Sequence, residues 1–202
     1  MSDKKIRTMV MAAVLAALTC VATMVVQIPS PMNGFVNLGD CFVLLSGWLL
    51  GPWWGGAAGG IGSMLADLLL GYGHYAPGTL IIKGLMALVG ALIFKALGKS
   101  SVGALVSGLV SEIIMVAGYF GYAALLLGKG IGAAASVPGN LVQGAVGLIA
   151  GFLLLQDIAA VGGDDIGPGC PDHGKVLHDH LAADPKPRGQ VLGGNGGIGL
   201  VK

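Results

Sequence analysis

TMVMAAVLAALTCVATMVVQI, residues 8–28, carries no charged side chain and follows directly on Lys4, Lys5 and Arg7. At a rise of 1.5 Å per residue, a helix of about twenty residues crosses the roughly 30 Å of hydrocarbon in a bilayer. The run exceeds the apolar stretch of about 7–15 residues found in secretion signals, and further apolar runs follow it. It reads as a retained first membrane helix.

The rest of the chain has the same character. Of 202 residues, 54% are hydrophobic and only 10% are charged, against about a quarter charged in soluble domains. Between residues 8 and 155 the ionisable side chains to weigh are Asp40, Asp67, His74, Lys83, Lys95, Lys99, Glu112 and Lys129. A net charge of +1 without a basic stripe excludes the electrostatic footprint of a nucleic-acid binder. Cys20, Cys41 and Cys170 are odd in number and scattered, so no disulfide framework is expected and they read as small hydrophobes.

Apolar length and Gly, Pro and Asn punctuation predict helices over residues 7–28, 39–51, 53–72, 78–96, 102–127 and 136–155. The second is short, which leaves room for an earlier start, a tilt or an incomplete crossing. The expected fold is an all-α integral membrane bundle of about six transmembrane helices over residues 1–155. Residues 156–202, rich in Gly, Asp and Pro and lacking periodicity, are expected to form a disordered tail. Within that tail Cys170, His173, His178 and His180 match no standard zinc spacing, so no metal is assigned. Lys4, Lys5, Arg7, Lys95 and Lys99 fall on one side of the membrane and Lys129 on the other, which predicts cytoplasmic termini.

Small residues recur at helix-pairing spacing, and in lipid such residues let backbones approach closely enough for dispersion to hold helices together. Gly55, Gly56, Gly59 and Gly60 form two such pairs. Ala12, Ala13, Ala16 and Ala17 form two overlapping pairs on the first helix, read either as internal packing or as a docking face for a partner protein.

Charged and polar groups inside spans cost enough to require a partner, a cavity or a function. Counted from the predicted outer helix ends, Asp67, Lys83 and Asn140 lie roughly 6–8 Å deep and Tyr119 about 13 Å. These depths predict a pocket open to the outside in which Asp67 and Lys83 neutralise each other or a polar ligand. Gln143 extends the polar face of the sixth helix, whereas Glu112, roughly 24 Å down, is expected apart from the pocket, toward the cytoplasmic side. No Ser-His-Asp set, HExxH or carboxylate pair suggests catalysis, and no cofactor is implied. A proton-coupled carrier using Asp67, Lys83 and Glu112 is the rival reading, against which stands the lack of an inverted repeat with interrupted helices.

Several stretches are similar to a known family. Val36-Asn37-Leu38-Gly39-Asp40, Gly59-Gly60-Ile61-Gly62-Ser63 with Ala66-Asp67-Leu68, and Tyr75-Ala76-Pro77 with Ile81-Ile82-Lys83-Gly84 come first. Glu112-Ile113-Ile114-Met115 with Gly118-Tyr119-Phe120, and Pro138-Gly139-Asn140-Leu141-Val142-Gln143-Gly144, follow in order. Together they resemble the membrane-embedded S components of energy-coupling factor (ECF) importers, particularly the riboflavin-type family. The resemblance implies a plasma-membrane subunit that binds a vitamin-like small molecule from outside and hydrolyses nothing itself. It would dock onto a coupling transmembrane subunit driven by two cytoplasmic ATPases. It also implies ligand contacts at Asn37, Asp40, Tyr75, Lys83, Tyr119 and Asn140, and partner docking through the alanine face of the first helix.

Overall fold

The computed structural model describes residues 3–30 and 34–162; the predicted tail from residue 163 onward, with its Cys/His cluster, lies outside them. Six α-helices make up the bundle: α1 (Asp3–Val25), α2 (Gly39–Leu50), α3 (Pro52–Leu69), α4 (Ala76–Ala96), α5 (Ser101–Gly121) and α6 (Val137–Gly162). A two-stranded antiparallel ribbon, β1 (Ile28–Ser30) and β2 (Gly34–Val36), joins α1 to α2, with Ile28 opposite Val36. A π-turn (Tyr122–Leu126) and a 3₁₀ segment (Gly130–Ser136) join α5 to α6.

Among the described residues, four stretches are long and apolar enough to cross a membrane by themselves: Asp3–Val25, Ala76–Ala96, Ser101–Leu126 and Gly130–Val161. Glycines dilute the hydropathy of α3. Helix α2, at 12 residues, spans only about 18 Å. It is therefore too short to cross the hydrocarbon by itself, and its Gly39-Asp40 end is buried within the bundle.

Local chemistry explains the boundaries. Proline disfavours helical geometry in the residue before it, so Pro29 ends the helical option at Ile28, which pairs in the ribbon instead. Pro52 starts α3, where its missing N–H costs nothing. The Ser100 hydroxyl caps α5 by accepting from the Gly103 N–H at 3.0 Å. No such signal stops α6 at Leu155; it continues to Gly162, and Gln156 Nε2 donates to Ser101 Oγ at 3.1 Å.

Helix α2 is the axis of the bundle. All its residues except Phe42 and Leu49 are buried, as expected for a helix that is apolar all round. Val43, Leu44, Leu45 and Trp48 pack with Met86, Phe94 and Met115. Trp48 lies 6.0 Å from the Phe94 ring centroid and donates its indole N–H to Ser107 Oγ at 2.9 Å. The neighbouring Trp53 and Trp54, past the Gly51-Pro52 corner, are 79% and 44% exposed.

Glycines set the helix spacing. A Cβ on Gly60 would come within 2.8 Å of the Leu80 carbonyl and 3.3 Å of Gly84 Cα, and one on Gly47 within 2.5 Å of the Ala87 carbonyl. The four glycines Gly55, Gly56, Gly59 and Gly60 thus serve internal packing, against α2 and α4. The alanine face of α1 divides: Ala12 is buried and Ala16 half-buried, with the Ala16 backbone against Gly62 of α3, whereas Ala13 and Ala17 are exposed.

Candidate functional site

The first turn of α2 places Asp40, with no exposed surface, among three other chain segments. Its Oδ1 accepts from Lys83 Nζ on α4 in a buried ion pair. Its Oδ2 accepts from Gln143 Nε2 on α6 at 2.8 Å. Gln143 Oε1 in turn accepts from Asn37 Nδ2 at 3.1 Å and from the Asn37 backbone N–H at 3.2 Å, and Asn37 Oδ1 accepts from the Gly39 N–H at 2.8 Å. Residues from the ribbon–α2 junction, α2, α4 and α6 are thereby joined in one network. In a low-dielectric interior a carboxylate survives only if its lone pairs are occupied, and here both oxygens are.

Toward the ribbon end of the bundle, the network passes into aromatic surroundings. Lys83 Nζ lies 5.5 Å from the Tyr119 ring centroid, within cation–π range. The Tyr119 hydroxyl donates to Thr79 Oγ1 at 3.0 Å, and Thr79 sits beside the Asp67 carboxylate. Tyr75 meets Tyr119 edge-on at 6.5 Å and Tyr122 at 6.0 Å. Lys129 donates to the Tyr75 hydroxyl at 3.0 Å, and the Tyr122 hydroxyl donates to the His74 carbonyl at 2.8 Å, tying the α3–α4 and α5–α6 connections together.

The predicted residues are therefore mostly gathered. Asn37, Asp40, Lys83 and Gln143 form the network, Tyr119 and Tyr75 line its aromatic side, and Asp67 borders it through Thr79. Asn140 is half-buried on α6, one turn before Gln143, and makes none of the network's bonds.

Two expectations change. Lys83 pairs with Asp40 rather than with Asp67. The observed ends of α3 and α4 put Asp67 about 3 Å and Lys83 about 10 Å into their helices, and the antiparallel packing sets Asp67 opposite Thr79. Glu112, expected to stand apart, lies against the network: a Cβ on Gly147 would come within 2.6 Å of Asp40 Cβ and 3.4 Å of Glu112 Oε1. The close approach of α6 at Gly147 brings Asp40 and Glu112 to one level. The sequence does not single out Thr79, Tyr122 or Lys129 for the site, although Lys129 is expected alone on the side of the membrane opposite the other basic residues weighed there.

Two comparisons bear on this arrangement. The chain matches the family described as "ECF-type riboflavin transporter, S component" over residues 3–160. It is similar to a protein of Pyrococcus woesei named "Uncharacterized protein in gap 3'region", 41% identical over 133 residues, which cover 65% of this chain and 87% of that protein. With nearly the whole helical bundle matched, the chain belongs to the family of ECF-type riboflavin transporter S components, the substrate-binding subunits of a class of membrane transporters.

Proposed function

We propose that this chain captures a flat, polar, vitamin-like heterocycle from outside the cell and delivers it through a coupling transmembrane subunit and two cytoplasmic ATPases. The Asn37–Gln143–Asp40–Lys83 network carries the reading: it holds ligand-facing groups from four segments in one rigid geometry beside Tyr75 and Tyr119. A preorganised set of donors and acceptors costs little to order on binding, and aromatic faces suit a flat ligand. The family's named ligand, riboflavin, is of this class and is the first probe to use. Asn37, Asp40, Asp67, Tyr75, Lys83, Tyr119, Asn140 and Gln143 are assigned to the site. The exposed pair Ala13 and Ala17 is assigned to the coupling subunit. The membrane is the plasma membrane, with both termini cytoplasmic.

The adjacency of Glu112 and Asp40 favours one rival, a stand-alone carrier in which protons move along the carboxylates. Liposomes containing this chain alone separate the two. An S component binds riboflavin stoichiometrically and does not concentrate it, with or without an imposed pH gradient. Gradient-driven accumulation would establish the carrier instead.

A further inference from the structure

Between α5 and α6 a cavity of about 610 Å³ opens toward the bilayer. Leu109, Ile113, Leu141 and Ile149 form its walls and are each more than half exposed. Glu112 lines it as well, yet is only 6% exposed, and neither of its carboxylate oxygens has a hydrogen-bond partner among the described residues. Gly144 leaves the approach clear, since a Cβ there would stand 2.9 Å from Glu112 Oε2. An unpaired acid at this depth is costly, and the nearest cation, Lys83, is already bound to Asp40. Asp40, Asp67 and Glu112 outnumber Lys83 in the buried interior, so the local balance is acidic.

We propose that this groove is a lateral binding site for a bilayer-dissolved amphiphile with a primary ammonium group on an apolar body, the ammonium donating to Glu112. Charge selects the occupant. An acyl tail of a neighbouring lipid fills the apolar walls but leaves Glu112 unpaired, whereas an ammonium satisfies it by a charge-assisted hydrogen bond. The volume lies within the roughly 300–1,000 Å³ of small-molecule pockets. The site opens sideways into lipid and does not rest on the importer reading.

The test uses tritiated dodecylamine and the full chain in phosphatidylcholine nanodiscs, with empty nanodiscs correcting for partition. One saturable site per chain is expected, weakened roughly tenfold or more in Glu112→Gln and lost in Ala145→Phe, which fills the groove from its exposed rim without touching Glu112. Unlabelled 1-dodecanol and dodecane should compete poorly. Binding no greater than to empty nanodiscs would overturn the proposal, as would full affinity in Glu112→Gln. Equal competition by dodecanol would overturn it too, since the groove would then accept tails regardless of head group. Should Glu112→Gln fail to fold, Ala145→Phe and the competition series carry the test.

Discussion

Asp40 and Lys83 are both almost wholly buried, and each is the other's charge partner. Removing one side of such a pair leaves an uncompensated ion at a cost of about 3–5 kcal/mol, whereas removing both is far milder. Lys83→Met should therefore lower the thermal midpoint of the detergent-solubilised protein, and adding Asp40→Asn should restore most of it. Adding Asp67→Asn should not; rescue by that change would reinstate Asp67 as the partner. At Asn140, half-buried and outside the network, alanine should weaken riboflavin binding by about 1–3 kcal/mol in calorimetric titration while the midpoint stays put. Unchanged affinity would remove Asn140 from the site. The types of residue in the site were legible because charge and amide groups stand out against an apolar background. Their pairing was not, since it depends on how the helices pack against one another, and ending α3 three residues late and starting α4 two residues late was enough to level Asp67 with Lys83.

The elements differ in how much the sequence discloses. Apolar runs and their punctuation placed α1, α2, α4 and α5 within a few residues, though not the central position of α2, which only its all-round burial discloses, and α6 outran Leu155 because polar residues alone do not stop a helix. The alanines of α1 are the sharpest case: two overlapping registers look equivalent in one dimension, yet Ala12 faces inward and Ala13 and Ala17 face outward. Ala12→Leu should overpack the contact with Leu50 and Ala58 and destabilise by about 1–3 kcal/mol. The double change Ala13→Leu/Ala17→Leu should alter stability by less than about 1 kcal/mol, keep riboflavin binding, and abolish both co-purification with the coupling subunit and uptake in cells. Intact uptake in the double variant would make that face a lipid-covered surface. Gly60→Ala probes the α3–α4 approach in the same way, with loss of thermal stability expected from the Leu80 carbonyl contact.

For the whole molecule, the lysine asymmetry predicts the loop of Gly73 outside and that of Ser100 inside. In a variant with Cys20, Cys41 and Cys170 changed to serine, Gly73→Cys should react with a membrane-impermeant maleimide on intact cells and Ser100→Cys only after lysis. The opposite pattern would invert the bundle. Its general class was legible from composition because a chain with so few charges has no stable arrangement in water. The order of the helices around α2 was not, since it rests on which glycine meets which carbonyl.

The chain's three tryptophans sit on either side of the Gly51-Pro52 corner, Trp48 locked in the core and Trp53 and Trp54 facing out. Exposed aromatic rings at the end of a membrane helix favour the membrane–water boundary. The molecule therefore contains two optical probes that need no label. Lipids brominated near the head group should quench the emission of Trp53 and Trp54 and spare that of Trp48. In the Trp53→Phe/Trp54→Phe protein the remaining fluorescence should be blue-shifted and unquenched by those lipids, and it would report on the packing of Trp48 at the junction of α2, α4 and α5.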